Sequence, residues 1–297
     1  MKISSQDIQF CQKIMAKSGP TYYWATKLFP KKIRQSTYIL YAFYRVPDDI
    51  VDLEKENKKL KLEEWVKEWS NLVENPTPTN LQQANPVLRA SYIVHQIYKI
   101  PFHHSQSFLK AMLQDLTKKR YQTYQELKDY MYGSAAVVGI MMTYLINPSP
   151  TAQTLKQAED LGYAMQLTNF IRDIKEDVDE RDRIYLPEDE LKAFQITSKN
   201  IQNHDYPPRW EAFVKEQLLR TNQLYKSGFQ GLKKLPFHAR FCIRLAAVMY
   251  MDYNRQIIQS NFRVYDSTYK LTTARKIFCL IKTVLNLTQP PKWPKQS

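Results

Sequence analysis

Glycine is scarce in this chain, with 6 in 297 residues. Tight hairpins draw on glycine, and period-2 alternation of apolar and polar residues is rare, so a sheet-rich fold is excluded. Cysteine is scarcer still. Cys11, Cys242 and Cys279 are an odd number without paired spacing, which excludes a disulfide framework and suits reduced thiols in a cytoplasmic setting. The longest uncharged apolar run, residues 130–146, is short of a transmembrane span. Residues 1–10 lack the charged-then-apolar pattern of a signal peptide. A glycine-rich dinucleotide motif and a long C-terminal anchor are also missing, so NADPH is not expected as a cofactor.

What is present is helix-forming and basic. Lys, Leu, Gln and Ala are abundant, and the 16 prolines fall mostly between segments of helix length. The reading is all-α, one helical-bundle domain over residues 1–297. Helices are expected from a Ser4 or Ser5 cap to about residue 17, from 22 to 30, and from 32 through a first acidic cluster, where Pro47 should kink the chain. Others are expected at 60–73, 86–98, 102–118 and, as one piece, 124–146. Ser149-Pro150 should cap the helix carrying Gln166 to Asp177. Helices near 208–226, 237–261 and 273–287 complete the bundle. Residues 75–86 are the best linker candidate, but acidic clusters on either side of them favour a single domain.

The net charge of +14 favours anionic substrates or lipid headgroups. A nucleic-acid partner is not expected, because the basic residues are spread along the chain and no recognition module occurs. The tail helix combines Arg275, Lys276 and Lys282 with Ile277, Phe278, Leu280, Ile281, Val284 and Leu285. That pattern suits peripheral contact with an anionic membrane; an ordinary docking helix is the other reading.

The most informative residues are acidic. Asp48-Asp49-Ile50-Val51-Asp52 and Asp173-Ile174-Lys175-Glu176-Asp177 each place two carboxylates at i and i+4, on one helical face. Arg45, Asp48 and Asp52 form one polar stripe; Gln166, Asn169, Asp173 and Asp177 form another. Both stripes lie beside apolar or aromatic flanks. Carboxylates about 5–6 Å apart repel by roughly 3 kcal/mol at an effective dielectric near 20, so the pairs call for a counter-ion. Oxygen ligands without Cys or His point to Mg²⁺ rather than zinc. Arg45 and Arg172 adjoin the acids, and a guanidinium fork suits phosphate oxygens. The alternative left open is two solvated acidic helix ends.

At this point the chain resembles a known family. The segment from Tyr41 to Asp52, YAFYRVPDDIVD, is similar to the first aspartate-rich motif of the squalene and phytoene synthases. Residues 161–177, continuing to Arg183-Ile-Tyr-Leu-Pro187, resemble the second; residues 10–30, Tyr130-Met-Tyr-Gly133 and Val138-Gly139 also fit. The resemblance implies an isoprenoid-synthase bundle with a central cavity and two or three Mg²⁺ ions held between the motifs. Asp48, Asp52, Asp173 and Asp177 match the metal-holding, catalytic aspartates. Arg45, Gln166, Asn169 and Arg172 match the diphosphate region, and Asp49 and Tyr130 join the substrate-binding set. Tyr250, Arg263 and Arg275 are weaker matches. Ser18-Gly19-Pro20-Thr21 departs from the family's hydroxyl-rich run, and Pro47 is not the residue expected before the acids.

The implied activity is prenyl transfer, joining two prenyl diphosphates head to head through a cyclopropylcarbinyl diphosphate. Two geranylgeranyl units giving phytoene, in carotenoid biosynthesis, is the leading reading. Two farnesyl units giving dehydrosqualene or squalene is the alternative. A non-catalytic assembly protein of the same fold is a third.

Overall fold

Local signals start the fold. Ser4 accepts a hydrogen bond from the Asp7 amide at 3.0 Å, with Asp7 in the first turn and Lys17 in the last turn of the helix that follows. The computed structural model describes residues 2–54, 56–266 and 268–285, without the side chain of Thr21. In chain order the helices are α1 (Ser5–Ser18), α2 (Pro20–Thr26), α3 (Lys31–Leu53), α4 (Lys58–Glu74), α5 (Pro78–Gln83), α6 (Pro86–Tyr98), α7 (Phe102–Asp115) and α8 (Tyr124–Met131). After a π-helical turn (Tyr132–Ala136) come α9 (Val137–Ile146), α10 (Ala152–Arg172), α11 (Ile174–Arg181), α12 (Glu188–Ala193), α13 (Ser198–Gln202), α14 (Trp210–Leu232), α15 (Phe237–Gln259) and α16 (Thr273–Val284). Among the described residues there is no strand, and an isolated bridge joins Arg120 to Ile184. The all-α expectation is met.

Contacts gather these elements into two compact units, residues 1–117 with 137–152, and residues 118–136 with 153–297. In the first unit α3 packs against α1, α4, α6, α7 and α9. It runs unbroken through buried Pro47 and seals Ile39, Leu40 and Phe43 from water. Phe43 meets Trp69 edge-on at 4.8 Å, and His95 stacks on Phe102 at 5.2 Å. His95 is buried, with Nδ1 donating to the Ser91 carbonyl at 2.8 Å, and burial pushes its pKa down to about 4. The expected linker at 75–86 lies inside this unit and contains α5. Arg89 ties it down, donating to the Ala84 carbonyl at 2.9 Å while ion-pairing with buried Asp7 at 2.6 Å.

The second unit is built on α14, whose Trp210, Phe213, Val214 and Leu218 share a core with Ile171, Ile174, Leu186 and Ile257. Trp210 Nε1 donates to the Phe262 carbonyl at 2.9 Å. Residues 119–122 are laced to 184–189: the Ile184 amide donates to the Lys119 carbonyl at 3.0 Å and the Glu188 amide to the Tyr121 carbonyl at 2.9 Å.

Three helix expectations need correction. The span 124–146 is not one α-helix, because the π turn interrupts it. There the backbone of Ala135 and Ala136 closes on Gly162; a Cβ at Gly162 would meet Ala136 Cα at 2.8 Å. Ser149-Pro150 does not start α10, which begins at Ala152. The second acidic stripe is not on one unbroken helix either. α10 ends at Arg172, and Asp173, with φ −101° and ψ 12°, caps α11. The i, i+4 relation survives, since the Asp177 amide donates to the Asp173 carbonyl at 2.8 Å. The sequence pattern also passed over α5, α12 and α13, each of six residues or fewer. The tail helix is described from Thr273 to Val284; residues 286 and 287 lie outside the described residues. Cys11, Cys242 and Cys279 are all buried, and none of the three is in a disulfide.

Candidate active site

The first acidic set rides on α3. Apolar residues face inward along this helix, leaving Arg45, Asp48, Asp49 and Asp52 towards its open side. Arg45 reaches Asp48 with Nη1 at 3.0 Å and Asp49 with Nη2 at 2.5 Å. Burial alone would lower the Arg45 pKa, but the hydrogen bond to Asp49 and the two acidic charges raise it instead. Asp48 is half-buried and Asp52 exposed. The guanidinium partly neutralises this set from within its own helix.

The second set is set deeper. Arg172 grips its neighbour Asp173 with Nε at 2.6 Å and Nη2 at 2.5 Å, and its guanidinium lies 4.4 Å from the Tyr253 ring centre. Tyr250 and Tyr253 both lie within its electrostatic reach, and the Arg172 pKa is raised because Asp173 outweighs the burial that would lower it. Asp177 is buried, and burial followed by the charge on Asp173 pushes its pKa up to about 7. Arg181 opposes that rise, with Nη1 at 3.4 Å from Asp177 Oδ1. Asp177 also lines a narrow crevice with Phe170, Ile174, Arg183 and Tyr185.

Beside that crevice lies a run of aromatic faces. Phe170 stacks on Tyr185 at 4.0 Å, and buried Tyr130 stacks on Tyr185 at 5.8 Å and packs against Tyr121 at 5.3 Å. In the second unit the structure therefore gathers Tyr130, Arg172, Asp173, Asp177 and Tyr250 among the sequence-predicted residues. Asn169 is half-buried, and its Oδ1 is sealed from water without a hydrogen-bond partner. Arg263 is instead exposed, paired with Asp266 over the Tyr206 ring, and Arg275 pairs with buried Asp252 at 2.9 Å. Sequence reasoning passed over Tyr253, Arg181, Tyr121 and Tyr185. Arg181 stands at i+4 from Asp177, a signal that was available; the others arrive by tertiary packing.

The donor chemistry fits magnesium. Both pairs are oxygen-only, and among the described residues no group of three or more His, Cys, Asp or Glu is placed to hold a metal unaided. Mg²⁺ typically takes one or two carboxylates and completes its shell with water and substrate phosphate. The orphaned Asn169 oxygen adds a further buried acceptor on the same stripe.

The sequence profile described as squalene/phytoene synthase matches residues 15–276. The chain is 27% identical to the 15-cis-phytoene synthase of Synechococcus elongatus, over 96% of this chain and 94% of that protein. It is 28% identical to that of Enterobacter agglomerans, over 90% of this chain and 91% of the relative. Among solved structures, a dehydrosqualene synthase in complex with ligand superimposes with a TM-score of 0.83 at 26% identity, covering 95% of this chain and 96% of that one. The fold is that of the isoprenoid synthases.

Proposed function

Because the chain belongs to the squalene/phytoene synthase family, whose members typically use Mg²⁺, we propose that it joins two geranylgeranyl diphosphates head to head to give phytoene. The observation that carries this reading is the pair of carboxylate sets, each with an adjacent arginine, in a chain similar to phytoene synthases over nearly its whole length. Asp48 and Asp52, and Asp173 and Asp177, hold Mg²⁺. When bound, it supplies positive charge that stabilises the departing diphosphate. Arg45 and Arg172 exchange part of their carboxylate pairing for phosphate oxygens, with Asp49 holding Arg45 in place and Gln166, Asn169 and Tyr250 donating hydrogen bonds to diphosphate. Tyr130, Phe170 and Tyr185, stacked on one another, form an aromatic wall that helps exclude water from the allylic cation.

The chemistry balances without a reductant. One C–O bond breaks and diphosphate leaves; the second substrate's double bond attacks the cation, and proton loss closes a cyclopropane. A second ionisation releases the other diphosphate, the ring opens, and a second proton leaves. NADPH is therefore not needed. The likeness to a dehydrosqualene synthase favours a second reading, with two farnesyl diphosphates as substrates. Buried thiols that form no disulfide suit a reducing cytoplasmic compartment.

The test is direct. Purified protein with Mg²⁺ is given farnesyl or geranylgeranyl diphosphate, with and without NADPH, and the organic extract is analysed by mass. A C40 hydrocarbon without NADPH is expected. A C30 product would move the chain-length assignment, and no product from either substrate would favour the assembly-protein alternative.

A further inference from the structure

Helix α16 is amphipathic in the opposite sense to a docking helix. Its inward side is small and polar. Arg275 Nη1 donates to Asp252 Oδ2 at 2.9 Å, Cys279 Sγ lies 3.9 Å from the Val248 carbonyl, and Thr283 Oγ1 donates to the Cys279 carbonyl at 2.8 Å. These contacts pair residue 275 with 252 and 279 with 248, so α16 runs antiparallel along α15. The large apolar residues point away. Ile277, Phe278, Leu280, Ile281, Val284 and Leu285 are between 40% and 64% exposed.

At about 100° per residue these six side chains cover an arc of roughly 160°. Lys276 and Lys282 fall at its two edges, each about 120° from the arc's centre on the same geometry. Lys282 bends back over the Phe278 ring, with Nζ 4.0 Å from its centre. An apolar arc with a lysine at each margin is the pattern of a helix lying at headgroup depth, its stems along the acyl boundary and its charges in the headgroups. The helix is 12 residues long, and no helix among the described residues is long and apolar enough to cross a membrane.

We propose that α16 docks this protein flat on an anionic lipid bilayer, with Ile277 and Ile281 at the centre of the inserted face and Phe278 at its margin. Charge selects this occupant over a second copy of the chain. Two such faces meeting would set lysine margins against each other on chains of net charge +14, whereas anionic headgroups complement both. Each Lys near such a surface contributes about 1 kcal/mol, and the interaction falls with salt. The inference is independent of the reaction proposed above.

The test is flotation of the full chain with vesicles of phosphatidylcholine alone or with about a third phosphatidylglycerol, a content chosen to give a strongly negative surface. Flotation with the anionic vesicles, reduced by high salt, is expected. The double variant Phe278→Asp with Ile281→Asp should lose at least tenfold in vesicle affinity, and Lys276→Glu with Lys282→Glu should lose binding to anionic vesicles selectively. Unchanged circular dichroism and melting temperature establish that both variants fold. A wild type that stays unbound, or variants that float equally well, would overturn the proposal. So would a lipid-free dimer dissolved by Phe278→Asp with Ile281→Asp, which would assign the face to a second copy. Vesicle binding that emerges only when residues 286–297 are removed would assign it to the chain's own end.

Discussion

The two acidic sets look like duplicates, yet the molecule treats them differently. On α3 the acids sit on an unbroken helix, Asp52 is exposed, and Arg45 spans Asp48 and Asp49 from one turn away. At the junction of α10 and α11 the helix yields at Asp173, Asp177 is buried, and the arginine partner is the adjacent Arg172 braced on Tyr253. The first set is stabilised before any ligand arrives. The second holds a buried carboxylate that its neighbours only partly compensate, which is costly unless a cation completes it. Equal spacing in sequence therefore conceals unequal compensation of charge.

The largest effects should come from removing one acid in each set. Asp48→Asn and Asp177→Asn are both expected to lower turnover by about a thousandfold, roughly 4 kcal/mol of transition-state stabilisation. Their melting temperatures in metal chelator should move in opposite directions. Asp48→Asn removes a partner of Arg45 and should melt lower, while Asp177→Asn removes a buried charge repelled by Asp173 and should melt higher. Equal shifts would erase the contrast between the sets.

The next effect concerns pH and belongs to the first unit. Folding lowers the His95 pKa to about 4 from an ordinary value near 6.5, so the unfolded chain binds the extra proton first. Stability is full above pH 6.5 and is lost as pH falls towards 4, by about 3 kcal/mol. Denaturant unfolding at pH 7 and pH 4.5 measures it. His95→Phe, which keeps the stack on Phe102, should reduce the dependence without abolishing it, because burial also pushes His104 down to about 4; an unchanged slope would remove His95 as a source.

Smaller effects should separate the arginines. Arg172→Lys gives up two hydrogen bonds to Asp173 and the Tyr253 ring, and is expected to cost about thirtyfold in kcat/KM, near 2 kcal/mol. For Arg45→Lys, more exposed, about tenfold is expected. The smallest contrast lies in the glycines. Gly162→Ala drives a methyl against the Ala136 backbone and should cost about 1.5 kcal/mol of stability. Gly19→Ala meets only the phenol end of Tyr41, which can shift, so a loss under about 1 kcal/mol is expected by thermal melting.

Legibility followed the range of the interaction. Ser4, Asn85, Thr123 and Thr272 cap helices through residues two or three positions on, and such signals stand in the chain as written. The acidic stripes were legible for the same reason, since i and i+4 are neighbours on any helix. The π turn at Tyr132–Ala136 was not, because the backbone it meets belongs to Gly162 in another helix. Nor was Tyr253, which reaches Arg172 from α15. The run at 75–86 resembled a linker by composition, but Arg89 and Asp7 decide its place, and neither lies within it.

The buried thiols make the molecule its own stopwatch. Burial pushes Cys11 up to about 12 and Cys242 up to about 11, and it raises Cys279 as well, so none reacts readily while packed. Alkylation must then wait for the surrounding structure to open. Cys11 lies in the first unit, Cys242 on α15 and Cys279 on the inward side of α16. Timed labelling read by mass would clock three local openings in one native chain, with no engineered probe.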